Sequence, residues 1–267
     1  MKRALLVALL LVTGAAAQTQ APPAPPAAPP AEHHKPQPKS QAEYDAFEKA
    51  KNSTDPVKAE TAIAAFEQQF PQSELTPLLY RDLMGKYEKA GNAEKIVTTG
   101  RKLLTLDPDD VFALVNTASV LADNTAPNAP DLAGRHDEAL KDARHAIELL
   151  SHGSQLSPTG ELGLREKQLL ALAYAAAGSV ELTRTQYADA ERDLRASTTT
   201  NPGDPDALVW LRLAVALDHK EKYADALTVA DRAVQIAGNG PYAGAAKQER
   251  ERLQKLLPSG AATTPKP

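Results

Sequence analysis

The words Tyr187-Ala188-Asp189-Ala190 and Tyr223-Ala224-Asp225-Ala226 stand 36 residues apart, each at the same place in a two-helix pattern. In the second copy the pattern runs Trp210, Leu213, Ala214 and Leu217, a short polar break, then Tyr223, Ala226, Ala230, Ala233 and Ile236. These are two amphipathic stripes at helical spacing joined by a turn. Neither stripe carries enough apolar surface to fold alone, so recurrence at this period implies helix pairs that stack and bury their faces on one another. Aromatic residues make up only 4% of the chain and alanine fills many apolar positions, which suits close helix packing.

The same spacing recurs upstream. Residues 77–110 carry Tyr80, Leu83, Met84 and Tyr87, a turn at Gly91-Asn92, then Ile96, Gly100, Leu103 and Leu106 before Asp107-Pro108. The register continues with Leu114, Thr117, Ala118 and Leu121, followed by Ala139, Ala143, Ala146 and Leu149. Between those two helices residues 123–134, with Pro127 and Pro130, are longer than the period allows and read as a loop insertion. A weaker first pair covers residues 41–50 and 56–70, with Ala59, Ile63 and Phe66 in the second-helix positions. A fourth unit has its first helix reaching back to about Glu161 and carrying Tyr174, Ala177 and Gly178, then Tyr187, Ala190 and Leu194. After Gly238-Asn239-Gly240, Pro241 opens a last helix whose Tyr242, Ala246, Glu249, Leu253 and Leu256 make one stripe on an otherwise charged surface, as an array's terminal cap requires.

These units resemble tetratricopeptide repeats, with Trp210, Leu213, Ala214, Tyr223, Ala226 and Ala233 matching the family's pattern in the last unit and Tyr80, Leu83, Tyr87 and Pro108 in the second. Glu181 and Ser197 depart from it in the fourth. The resemblance spans residues 40–238 and implies an all-α solenoid of helix-turn-helix repeats. Units are expected at about 40–74, 77–110, 111–150, 161–204 and 207–238, with a C-terminal capping helix over 241–257.

The ends differ in kind from the array. Met1-Lys2-Arg3, an apolar run over residues 4–12 and Ala15-Ala16-Ala17 predict a secretory signal peptide over residues 1–17, since nine apolar residues fall far short of the ~20 that cross a bilayer. Residues 18–39 are rich in proline and alanine and are expected to be a disordered linker, as is the tail over 258–267. The chain has no cysteine, which excludes disulfides, thiolate metal sites and a lipoprotein anchor. The expected location is therefore the periplasm or the exterior, without a lipid anchor and without a membrane span once the leader is gone. Net charge is −4, or −6 after loss of Lys2 and Arg3 (28 basic against 34 acidic residues), which recruits neither nucleic acid nor an anionic membrane.

No motif calls for a cofactor, a metal or catalysis. His33-His34 lies in the linker without a third ligand. Asp107-Pro108-Asp109-Asp110 and Asp204-Pro205-Asp206 lack the glycine and distal glutamate of a calcium loop and fall at unit boundaries, where helix termination and N-capping need them. His136 and His145 are not four residues apart and share no helix face as a ligand pair. An enzyme would need a hidden site at the insertion, built from Asp123, Asp131, His136 and Asp137.

The resemblance implies a non-catalytic interaction scaffold that binds a protein or peptide partner. First helices are expected to line the concave side, placing Leu78, Arg81 and Gly85, Phe112, Val115 and Ser119, Leu172, Ala175 and Ser179, and Leu208, Leu211 and Val215 toward it. That surface reads as mostly apolar, with Arg81 the single candidate cation for holding a partner's terminal carboxylate. The alternative is a structural or assembly factor of the cell envelope, tethered through the proline-rich arm.

Overall fold

The computed structural model describes residues 35–126, 128–151 and 162–257. The chain divides into two units, residues 1–35 and 36–267, and the helical array belongs to the second. The leader, most of the linker, the tail and the irregular stretch over 152–161 lie outside the described residues.

Among the described residues all regular structure is helical. The elements are α1 (Gln41–Lys51), α2 (Pro56–Gln69), α3 (Thr76–Lys89), α4 (Ala93–Leu106), α5 (Val111–Asp123), α6 (Leu132–Ser151), α7 (Leu164–Thr183), α8 (Tyr187–Thr200), α9 (Ala207–His219), α10 (Tyr223–Ala237) and α11 (Ala243–Leu256). Each helix packs on the next, so the helices stack in consecutive pairs as a tetratricopeptide-like solenoid. None is long and apolar enough to cross a membrane.

The backbone of each odd-numbered helix also comes close to that of the next odd-numbered helix from α1 to α11, whereas even-numbered helices reach one another only through long side chains such as Lys95 to Glu60 and Arg101 to Glu138. Crowding on one side and spreading on the other curves a stack, so the odd-numbered helices line its inner face. The α5–α7 contact is the most extensive on that face.

Local chemistry sets the boundaries. Ser40, Asp55, Asn92, Asp110 and Asp206 accept backbone N–H bonds at the starts of α1, α2, α4, α5 and α9, satisfying donors the first turn leaves free. The two aspartate-rich boundary motifs thus act as caps. The turn inside three pairs is the same left-handed closure. Gly91, Thr185 and Glu221 have φ of 65°, 59° and 59°. The next residue's N–H donates back to Tyr87, Glu181 and Leu217 O at 3.0, 2.8 and 3.0 Å. Only the first of the three is glycine.

The repeating apolar positions are buried as their spacing predicts, with Leu83, Leu121, Ala177, Leu213, Ala214, Ala226 and Ala230 all but inaccessible. Backbones approach most closely at two glycines. A Cβ on Gly100 would collide with Thr117 Oγ1, and one on Gly178 would meet Leu194 Cγ at 2.7 Å.

Three details differ from the spacing. α6 begins at Leu132, so the last residues of the insertion are helical, and the connection is held by Arg135 Nε donating to Thr125 Oγ1 at 3.0 Å. The capping helix starts at Ala243, two residues after Pro241, and buries only Ala246 and Leu253; Tyr242 and Leu256 are exposed, because α11 has only the end of the α9–α10 pair beneath it. Leu106, at the last turn of α4, is also exposed.

The fourth unit's departures from the pattern are absorbed by polar bonds. Ser197 Oγ donates to Ala171 O at 2.8 Å, and Glu181 Oε1 lies 2.5 Å from Arg144 Nη2.

Candidate partner-binding groove

Two clefts open on the inner face, of about 350 and 450 Å³, and both are lined by Phe112 and Arg165. They are therefore halves of one groove. The smaller half lies along α3, with Leu78 and Gly85 as its apolar floor and Arg81, Lys86, Lys89 and Arg165 around it. The larger half runs between α5, α7 and the α8–α9 boundary, with Leu172, Val209 and Trp210 as apolar walls, Asn116, Gln168 and Asn201 as amides, and the carboxylates Glu88, Asp204 and Asp206 also in its lining.

The cations are held differently. Arg81 Nε and Nη2 lie 2.7 and 2.5 Å from Asp110 Oδ2, whose side chain is wholly buried and also caps α5. Arg81 is thus fixed to its own protein, its guanidinium already neutralised. Lys86 pairs with Asp82 one turn away. Arg165 and Lys89 form no ion pair with any described residue, and Arg165 instead stands 6.0 Å over the Phe112 ring. A guanidinium stacked on an aromatic face keeps its donor edge available to a ligand. With Arg81 paired to Asp110 and Lys86 to Asp82, Lys89 and Arg165 leave the small cleft a positive patch on a chain of net charge −4.

The anticipated lining residues separate into three groups. Leu78, Arg81, Gly85, Phe112, Leu172 and Ala175 line the groove. Ser119, Leu208, Leu211 and Val215 are half-buried on inner helices but border neither cleft. Val115 is a correction. It is 0% exposed, packed with Leu114, Ala146 and Ala173, because α5 and α7 press together there, so a partner has no surface of it to touch. Ser179 is likewise buried, its Oγ donating to Asp123 Oδ1 at 3.1 Å.

The expectation that Arg81 would be the only inner cation is also corrected. Lys89 lies one helical turn beyond Gly85 on the same face and was open to discovery by spacing. Arg165 was open to it as well, since it lies two helical turns before Leu172 on the same face of a helix expected to reach back to about Glu161. Trp210 reads as core in the sequence, and it does pack on the last unit's core, but one side of it also walls the large cleft. Its Nε1 is buried with no acceptor among the described residues, and Arg232 lies 6.0 Å from its ring.

Of the four residues an insertion-borne enzyme site would need, the three aspartates are each engaged separately. Asp123 pairs with Arg212 at 2.9 Å, Asp131 with Arg135 at 3.6 Å and Asp137 with Arg184 at 2.6 Å. His136 is buried, and burial followed by the charge of Arg184 lowers its pKa. His145 Nε2 lies 2.7 Å from Asp109 Oδ1. Among the described residues no group of three or more His, Asp or Glu is placed to hold a metal ion.

No protein-family model and no curated protein matches the chain. Solved structures with similarity include a thermophilic TPR protein from Thermus thermophilus, at 15% identity over 80% of this chain and 100% of that one, with a TM-score of 0.45. PilW, a widely conserved type IV pilus biogenesis factor, matches at 16% identity over 83% and 94%, also with a TM-score of 0.45. The TPR2AB domain of yeast Sti1 in complex with pHSP90 matches at 14% identity over 80% and 96%, with a TM-score of 0.29.

Proposed function

We propose that this array is a non-catalytic docking module that holds a segment of another protein along the inner face of α3, α5, α7 and α9. The observation that carries this reading is the shared wall of Phe112 and Arg165 between a cation-lined cleft and a mixed one whose apolar side is Leu172, Val209 and Trp210. An elongated groove of that composition suits a chain segment better than a compact metabolite. The segment it fits carries acidic side chains toward Lys89 and Arg165 and a bulky apolar side chain between Leu172, Val209 and Trp210. Charge complementarity sets its orientation and apolar burial supplies most of its affinity. We also propose, from residues 1–17 and the proline-rich stretch after them, that the protein works in the periplasm or outside the cell.

A peptide array probed with the full chain tests the docking site. Acidic peptides with a neighbouring Leu, Phe or Trp are expected to bind, more weakly as salt rises, and at least tenfold more weakly to Arg165→Glu or Leu172→Ser. Binding that survives both substitutions in a folded variant places the site elsewhere. Fractionation of cells expressing the chain from Met1, with and without residues 1–17, tests export.

A further inference from the structure

The carboxylates of Glu181 in α7 and Asp193 in α8 are among the most deeply buried charges in the array, with side chains 5% and 2% exposed. Both bond to the same nitrogen, Nη2 of Arg144 in α6. Two oxygens bound to one nitrogen lie within about 5 Å of each other, close enough that like charges repel strongly in a buried setting. Arg192 adds bonds to Asp193, stands 3.8 Å from Glu181 and also pairs with Asp189. Three carboxylates thus share two guanidiniums, one negative charge in excess. Glu181 Oε2 is buried and has no hydrogen-bond partner.

The next repeat shows that nothing in the fold requires charge here. Thirty-six residues on, the same two positions are Leu217 and Val229, both buried in the apolar core. A well-packed apolar pair is commonly at least as stable as a buried charge cluster. The fourth unit therefore carries polar chemistry that its neighbour does without.

We infer that Glu181 and Asp193 hold one proton between them and that this proton fastens α8 onto α7, so that its release is a loosening step built in beside the groove. With the proton on Glu181, its hydroxyl donates to Asp193 and one negative charge faces the two arginines. Without it, two carboxylates oppose each other across a single shared guanidinium nitrogen. Burial, followed by the bond to and the charge of Asp193, pushes Glu181 up to about 7 against the pull of Arg144. Burial alone raises Asp193 too, but Arg144, Arg192 and the Glu181 hydroxyl together hold it below the usual carboxylate range. Of the other charged groups on the helices packed against α7, Asp137 of α6 is tied to Arg184, Asp123 of α5 to Arg212 of α9 and Glu191 of α8 to Lys220, Lys222 and Arg195, while Asp142 of α6 is buried and pairs with no described residue. Loosening would reach the groove, because Ser197, Thr198 and Asn201 of the α8 end form one wall of the larger cleft.

The sign follows from linkage. A carboxyl whose pKa is higher folded than unfolded binds its proton more tightly when folded, so the joint is firmest in mild acid and weakens as pH rises through neutrality. Amide hydrogen exchange on the full chain, corrected for the intrinsic pH dependence of exchange, reads this directly. Protection of α8 is expected to fall about tenfold between pH 6 and pH 8 while that of α4 does not change. Glu181→Gln, which keeps a neutral donor toward Asp193, is expected to hold α8 equally protected at both. Carboxyl-carbon NMR of the wild-type chain gives a second reading that needs no variant, with one glutamate titrating near neutrality. Unchanged α8 protection, a tenfold loss that persists in folded Glu181→Gln, or glutamates that all titrate below about pH 5.5 would each overturn the inference.

Discussion

Arg212 of α9 reaches past α7 to Asp123 of α5, with Nη2 2.9 Å from Oδ1, joining residues 89 positions apart in the chain. Asp123 also accepts from Ser179 of α7, so three consecutive inner helices meet at one carboxylate. This contact belongs to the stacking of three units and has no counterpart within any one of them. Both side chains keep some exposure to water, so the pair itself is modest. A double-mutant cycle with Asp123→Ala and Arg212→Ala, followed by urea unfolding, is expected to give a coupling of about 0.5–1 kcal/mol. A coupling near zero would mean that the units do not close on each other here.

The closest helix contacts predict opposite responses to the same substitution. Gly178→Ala forces a methyl against Leu194 Cγ and the Leu194 backbone, and it is expected to destabilise the array by about 1–3 kcal/mol. Gly85→Ala meets nothing within 4 Å in the middle of α3 and is expected to stabilise by about 0.5–1 kcal/mol. Thermal melts of the two variants side by side check both signs.

The repeated left-handed turn holds glycine once and a side chain twice. Thr185 is β-branched, which makes φ of 59° costly, so Thr185→Gly is expected to raise stability by about 1 kcal/mol. Gly91→Thr should lower it by a similar amount. Chemical denaturation of both variants tests whether the turns are equivalent.

Glu191 of α8 is nearly buried and takes Lys220 Nζ at 2.6 Å, Lys222 Nζ at 2.9 Å and Arg195 Nε at 3.1 Å. Burial alone raises its pKa, but the bonds from the two lysines and the arginine outweigh this and hold it at about 2. A carboxyl lowered on folding contributes stability that is complete above its unfolded value of about 4.5 and is lost as pH falls toward 2. Glu191→Gln is therefore expected to cost on the order of 3 kcal/mol at pH 7 and almost nothing at pH 2. Denaturant midpoints at a series of pH values reveal whether the gap closes.

Asp142 stands at the place in its unit that Asp193 holds in the next, yet it behaves in the opposite way. No described residue pairs with it, and burial, followed by the charge of Glu138, pushes it up to about 6. The sign reverses with it: its ionised form opposes folding, so its contribution improves as pH falls from 7 toward 4. Asp142→Asn is expected to stabilise the protein at pH 7.5 and to make little difference at pH 4. Greater stability of the wild type at pH 7.5 would show that Asp142 has a partner.

Much of this architecture was legible in one dimension because it is periodic. The stripe from Trp210 to Ile236 dictates two helices and a turn, its recurrence dictates stacking, and Asp110 and Asp206 mark helix starts by their capping chemistry. These are local demands of backbone hydrogen bonding and apolar burial, so a short window of sequence contains them. The alanines and Gly178 likewise announce close contact. What the sequence could not settle was which exposed-looking residue meets which. Val115 and Phe112 lie three apart on one helix, and only the pressure of α7 on α5 buries the first and leaves the second in the groove. Arg81 reads as a free cation until α3 is set beside the cap of α5. Arg165 lies on the same helix face as Leu172, but only the packing of α7 beside α5 lays it over Phe112. Glu181 and Ser197 look like flaws in the pattern until Arg144, Asp193 and the Ala171 carbonyl are brought to them. Periodicity is a property of neighbours along the chain, whereas pairing of charges and exposure of faces depend on the distance and angle between whole helices, and those are fixed only when the array is assembled.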